Sequence, residues 1–303
     1  MNITIRKITS VEECEYFQEL ERRVWDAPEI DIMPIHTLIT CIKNGGLILG
    51  AFADDGPPEM GGLIGAAFGW VGVASKNGEH KTRFCSHMAG VLQEYQRTGI
   101  GLQLKLAQRK AILEMGYTDW MVWTYDPLFR ANGVFNIHKL GAVCNTYYPN
   151  NYGVMLDGLN RGVPSDRCQV DWWLRSERVT NIADKETRRQ AEGETRSRGE
   201  QNAEPQFAIR NSQLDANLQV LPTKPSGDFL APVEMDLQFD GSPIALPIPD
   251  DIGAIRKADA GLSLAWRMYM RKVLIDSFAA GYAMVDCVWI EGIWYYLLRS
   301  NQT

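Results

Sequence analysis

Residues 87–116 read HMAGVLQEYQRTGIGLQLKLAQRKAILEMG, and the fold turns on this stretch. Its first part is extended and weakly polar. It then passes through Gln96-Arg97-Thr98-Gly99-Ile100-Gly101 straight into apolar residues at helical spacing, with Gly116 as the stop. A strand that enters a helix through such a turn brings several unpaired N–H groups and the positive helix end to one point, which makes an anion cradle. The two glycines let the backbone approach a pyrophosphate without a Cβ in the way, and Arg97 adds charge. A Walker loop is excluded because no Gly-Lys-Ser/Thr follows. A glycine pair before a helix also serves as a plain turn, so the neighbouring elements have to decide.

Upstream, residues 3–8 alternate as a strand, and VEECEYFQELERRVW repeats apolar residues with the helical period. Two prolines in DAPEIDIMP break that helix. A short helix over 35–43 follows, then a strand in GGLILGAFADD joined through GPPEM to a strand over 62–73 as a hairpin, and a further strand over 83–92. Downstream, TDWMVWTY predicts a strand, Asp126-Pro127 a turn and residues 131–140 a helix. Antiparallel strands that give way to alternating β and α elements predict an α/β fold, a mixed sheet with helices on both faces.

The 303 residues carry 31 basic and 37 acidic side chains, a net charge of -6 that leaves no global field for nucleic acid or an anionic membrane. The weakly polar run over 61–74 has fourteen residues, short of the roughly 20 that span a bilayer. The start MNITIRKIT lacks a secretory pattern, so a cytoplasmic location is expected. Six scattered cysteines without a CxxC pair predict reduced thiols and neither a zinc site nor a disulfide framework.

Within residues 176–204, 13 of 29 side chains are charged, seven acidic and six basic. This composition suits an exposed helix or linker and sets the expected organisation: a domain over 1–176, a charged segment over 177–205 and a C-terminal α+β extension over 206–303. In the extension, Leu262, Trp266, Tyr269 and Val273 predict an amphipathic helix, and 282–290 and 293–298 a hairpin turning at Glu291-Gly292. Its aromatic residues, Trp266, Tyr269, Trp289, Trp294, Tyr295 and Tyr296, suggest a docking surface beside an acceptor mouth or a homodimer contact.

The Gln-x-x-Gly-x-Gly turn between a strand and a helix resembles motif A of the GNAT superfamily of acyl-coenzyme A dependent N-acyltransferases. VLQEYQRTGIG is similar to that family's valine, Glu-Tyr and pyrophosphate loop, and the order of elements over about residues 1–176 is similar to the GNAT order. FRANGVFNIHKLGAV resembles motif B, with Asn132, Lys139 and Gly141 at its marked positions. The resemblance implies a GNAT-like fold, acetyl-coenzyme A as co-substrate without a metal, and an amine acceptor. It also implies cofactor contacts from Val91, Gln96, Arg97, Thr98, Gly99, Ile100 and Gly101, with Asn132 on the pantetheine arm. The Val91 N–H would polarise the thioester carbonyl.

The tyrosine that the family uses as a general acid, two residues before the lysine, is Ile137 here. Tyr125, Tyr148, Tyr152 or water would replace it. Transfer to an amine also needs a base, and His87 lies where a catalytic histidine occurs in the family; strand parity puts it on one face with Cys85 and Val91. Asp126 caps a helix or binds the incoming amine. By resemblance, residues 26–34 and 147–167 wall the acceptor site, and Asp26, Glu29 and Asp31 would favour a cationic amine. The missing tyrosine leaves two rivals open: a coenzyme A-binding protein without turnover, and a transferase of a larger acyl group.

Overall fold

The computed structural model describes residues 2–76, 78–153, 163–191 and 216–300. It divides into two compact units. Among the described residues, the first holds 2–123 and 173–191, and the second holds 124–153, 163–172 and 216–300.

The first unit opens with strand β1 (Ile3–Lys7) and helix α1 (Val11–Trp25). A full capping box starts α1: the Ser10 hydroxyl accepts from the Glu13 N–H, and the Glu13 carboxylate accepts from the Ser10 N–H. Helix α2 (Ile35–Lys43) and strands β2 (Leu47–Ala53), β3 (Leu63–Lys76) and β4 (Glu79–Val91) follow. Helix α3 (Ile100–Met115) ends at Gly116 in the left-handed conformation, and strand β5 (Trp120–Tyr125) comes next. The sheet order is β1-β2-β3-β4-β5, antiparallel up to β4 and parallel between β4 and β5.

The two helices cover opposite faces of this sheet. Leu104 of α3 lies where a Cβ on Gly65 would point, whereas Phe17 of α1 meets Phe68 edge-on at 6.0 Å. Residues 65 and 68 of one strand point to opposite sides. Leu20, Phe17 and Cys14 of α1 are buried on one side, and Ile100, Leu104 and Ile112 of α3 on the other.

The second unit contains the four-residue helix α4 (Arg130–Gly133), which runs into a π-helical turn over Val134–Lys139, then strands β6 (Val143–Tyr148) and β7 (Arg167–Trp173). Helix α5 (Glu177–Ala191) belongs to the first unit apart from its predecessor β7. Beyond it come strands β8 (Gln219–Val220), β9 (Thr223–Ser226), β10 (Phe229–Pro232) and β11 (Ile244–Pro247). Helices α6 (Ile252–Ala258) and α7 (Ala260–Ala279) and the hairpin β12 (Tyr282–Ile290) and β13 (Ile293–Ser300) close the chain's described part. The sheet of this unit runs β7-β6-β12-β13-β11-β8, and β9 pairs with β10 alone.

These units cut the chain elsewhere than at the charged segment. β6 meets the C-terminal hairpin through the pair Cys144–Met284, and the buried Tyr125 hydroxyl donates to Met284 Sδ at 3.3 Å, so the stretch from β5's end through β6 packs with the extension. The charged segment itself forms α5 as far as Ala191, with Val179, Ala183 and Glu186 buried; its residues 192–205 lie outside the described part. The aromatics read as a docking surface are mostly covered within their own unit: Trp266, Tyr269, Tyr295 and Tyr296 are buried, and only Trp289 and Trp294 are half-buried. All six cysteines are free thiols, and no helix among the described residues is long and apolar enough to cross a membrane.

Candidate active site

The ladder between β4 and β5 covers two pairs among the described residues, Phe84–Met121 and Cys85–Val122. Past Cys85, β4 continues for six residues paired only to β3. The Leu92 N–H donates to Ile64 O at 2.9 Å, which makes that pair a hydrogen-bonded one. Antiparallel pairs alternate, so in the neighbouring pair Val91–Gly65 the Val91 N–H and C=O turn away from β3. The Val91 carbonyl accepts from Gln96 Nε2 at 3.0 Å, while its N–H faces the edge where the strands have parted. Gln96, although exposed, is thereby bonded to its own strand at the junction of strand and loop.

From that junction the chain enters the cradle. Arg97 adopts φ of 68° and Gly99 φ of 94°, both left-handed, and the Thr98 hydroxyl donates to Tyr95 O at 2.7 Å. Gly99 is the N-cap of α3 and supplies no side-chain acceptor. The helical ladder starts with Gln103 N–H on Gly99 O at 3.1 Å, which leaves the N–H groups of Ile100, Gly101 and Leu102 ahead of it. No acidic residue occupies the first turn to compete for them. The residues therefore fit a pyrophosphate: the donors are backbone groups, the dipole adds positive potential, and Gly101 carries no side chain over the loop.

His87 is the inserted residue of a β-bulge, since Phe68 pairs with Met88 and Gly69 with Ser86. The bulge resets the parity, which corrects the expectation that His87 and Val91 share a face. Val91 packs against Gly65 on the α3 face, and the His87 ring lies against Trp70 at 5.1 Å and Phe68 at 6.1 Å on the α1 face. His87 keeps solvent-exposed surface, but the protein around it withdraws enough water to lower its pKa below the ordinary 6.5. The neutral imidazole is favoured at pH 7.

Asp126 is placed differently from a reacting carboxylate. It is buried in the second unit, where Oδ1 accepts from Leu128 N–H at 2.9 Å and from Arg267 Nη1 at 2.8 Å, and Oδ2 accepts from Arg267 Nη2 at 2.5 Å. Arg167 Nη1 stands 3.9 Å from Oδ2. Both oxygens are engaged by Arg267, so Asp126 is placed to anchor the turn after β5. A second fork lies close by in sequence: Arg271 donates twice to Asp166 at 2.8 Å, and the Tyr147 hydroxyl donates to the same carboxylate at 2.6 Å. Burial pulls the Asp166 pKa upward, but these hydrogen bonds outweigh it and the carboxyl titrates below its usual range.

Ile137 is fully buried in the π-helical turn, and Gly133 is required there because a Cβ would strike the Tyr296 ring. Of the tyrosines considered in its stead, Tyr125 is buried, bonded to Met284 and pushed well above its ordinary pKa by that burial. Tyr148 and Tyr152 are exposed, and the Tyr152 hydroxyl shares a hydrogen with Thr124 Oγ1 at 2.7 Å. Asn132 is exposed on α4. In the loop after α1, the Glu29 carboxylate is held by Arg22 at 2.7 and 3.0 Å, which neutralises one of its three acids; residues 154–162 of the other expected wall lie outside the described part.

Sequence reading missed Lys105, a fully buried amine on α3, and the arginines that grip Asp126 and Asp166. For Lys105 a signal existed: Gly101, Lys105, Gln108 and Ile112 follow the helical period of a buried stripe.

No protein-family model and no curated protein matches the chain. Among solved structures it is similar to Arabidopsis thaliana NAA60 in complex with acetyl-CoA, at 13% identity over 58% of this chain and 100% of that one, with a TM-score of 0.46. It is also similar to the PaiA N-acetyltransferase of Thermoplasma acidophilum in complex with coenzyme A, at 18% identity over 56% of this chain and 98% of that one, with a TM-score of 0.38.

Proposed function

We propose that this chain is an acyl-coenzyme A dependent N-acyltransferase that moves an acetyl group to the amine of an acceptor by direct transfer. The observation that carries the reading is the continuity of donors along one stretch of backbone. The outward Val91 N–H and the unladdered N–H groups of Ile100, Gly101 and Leu102 are joined by residues 92–99, which include two left-handed positions.

Acetyl-coenzyme A supplies an acyl group activated as a thioester and a pyrophosphate by which it is held. In this reading the N-terminus of α3 and Arg97 hold the pyrophosphate. The Val91 N–H donates to the thioester oxygen as negative charge builds on it. His87, neutral because its pKa is depressed, takes a proton from the acceptor ammonium directly or through water. The freed amine forms the C–N bond as the C–S bond breaks, and the sulfur leaves as thiolate, protonated by water or an exposed tyrosine. Asp126 moves no proton; it holds Arg267.

Ile137 in place of a tyrosine favours a second reading, a coenzyme A-binding protein without turnover. Calorimetric titration with acetyl-coenzyme A, paired with thiol-release assays over a broad amine panel, separates the two. Binding with acceptor-dependent release supports the transferase, binding alone supports the second reading, and no binding refutes both. Thermal shifts with longer acyl thioesters test the size of the acyl group.

A further inference from the structure

Lys105 sits one and a half turns into α3, and its side chain is buried. Its amine donates to Ser86 Oγ at 2.9 Å and to Gln108 Oε1 at 2.7 Å, and Ser86 Oγ in turn donates to Gln108 Oε1 at 3.1 Å. Met121 Sδ lies at 3.6 Å, and the Trp123 ring centroid at 3.9 Å. Ser86 belongs to β4; Met121 and Trp123 belong to β5. The amine thus touches both strands at the point where their ladder ends after Cys85 and Val122. Ser86 is also the residue directly before the bulged His87.

A buried amine at this place has a cost that an apolar side chain would avoid. Met121 and Trp123 would pack equally well on leucine or methionine. Beside the Gln108 acceptor on the same helix, what lysine adds is an N–H donor to the Ser86 hydroxyl that also reaches Met121 and Trp123 of the other strand.

We infer that Lys105 is a positioning residue for acyl transfer: by holding Ser86 it fixes the bulge that presents His87, and it couples that bulge to the helix whose N-terminus forms the anion cradle. The inference rests on the acyltransferase reading for what the bulge faces, but the tether itself is a property of the protein alone. Desolvation pushes the Lys105 pKa down to about 7, so near neutral pH the amine can accept as well as donate in the Ser86–Gln108 triangle.

The test uses the full chain with 15N-labelled histidine, the His87 ring signal being assigned by its loss in His87→Gln. The pKa of His87 and its shift on saturation with acetyl-coenzyme A are compared between the wild type and Lys105→Met, and acetyl-coenzyme A affinity is measured by calorimetry. The expected result is affinity within about threefold of the wild type, since the cradle donors are backbone groups. The His87 pKa should move by at least about 0.5 unit and its response to acetyl-coenzyme A should be reduced at least twofold. Lys105→Gln, which keeps a donor near Ser86, should recover part of both; it also serves if Lys105→Met does not fold. An unchanged His87 pKa and response in the folded variants overturn the inference. Failure of the wild type to bind acetyl-coenzyme A would instead overturn the acyltransferase reading, and the His87 pKa comparison would still decide the tether.

Discussion

Replacing Arg267 with methionine tests whether Asp126 is an anchor. The two side chains are 1% and 4% exposed and share two charge-assisted hydrogen bonds. Removing one partner of a buried pair costs about 3–5 kcal/mol, because the remaining charge stays desolvated. Asp126 would keep the Leu128 N–H and a distant Arg167, which places the loss near the lower end, at about 3 kcal/mol. At roughly 2–4 °C per kcal/mol, the transition of the second unit should fall by about 6–12 °C. The double variant Arg267→Met/Asp126→Leu removes both charges and should lose at least about 1.5 kcal/mol less than the sum of the single changes. Scanning calorimetry of the full chain and its three variants provides the cycle. Two results would refute the reasoning: a melting point within about 2 °C of the wild type for Arg267→Met, or an Asp126→Asn variant that melts normally yet transfers no acyl group.

Acetyl-coenzyme A at 100 times its Kd should stabilise the wild type by about 2.7 kcal/mol. Gly101→Glu should erase that response while leaving the unliganded melting point unchanged or raised, since an acid in the first turn suits the helix dipole but repels a pyrophosphate; equal ligand shifts in both proteins would contradict the cradle. His87→Gln should lower kcat by roughly 10²-fold with little change in acetyl-coenzyme A affinity. Wild-type activity should rise with pH through the depressed His87 pKa and level off above 6.5, which a pH–rate profile of both proteins checks. Glu21, buried below the loop after α1, has its pKa raised by desolvation to about 7 from 4.5. The folded state therefore binds the extra proton between those values, and stability should drop by up to about 3 kcal/mol as pH rises from 4.5 through 7. Glu21→Gln should remove that drop in denaturation curves measured at pH 4.5 and 8.

Much of the first unit is legible in sequence because its signals are local. Ser10 and Glu13 announce the start of α1, Gly116 stops α3, and the span of α2 follows from its apolar spacing and Pro34. The helix of residues 260–279 and the turn at Glu291-Gly292, both at positive φ, are legible for the same reason. The bulge at His87 is not, because it shifts the alternation within Ser86-His87-Met88-Ala89-Gly90, which carries no clear apolar pattern to break, and it shows only in the pairing with Phe68 and Gly69. Nor is the membership of residues 124–153 in the second unit, since it depends on pairs such as Cys144–Met284 that carry no periodic mark. Asp126 beside a proline reads as a helix cap or an amine-binding acid, and its partner, 141 residues further on, has no mark in the sequence. The turn from β4 into α3 is legible, with Gly99 at the N-cap, whereas the Gln96 side chain turning back on its own strand is not.

That separation of 141 residues between Asp126 and Arg267, and of 105 between Asp166 and Arg271, has a consequence for synthesis. At about 5–20 residues per second, Asp126 leaves the ribosome about 7 to 28 s before its guanidinium is made. During that interval neither carboxylate can be withdrawn from water without an opposing charge, so the second unit has to stay open while β1 to β4 and α3 are already able to pair and pack. Nascent chains arrested shortly after residue 200 should therefore resist protease over the first hundred residues and be cut between Asp126 and Tyr148, and protection there should arrive only once α7 has emerged.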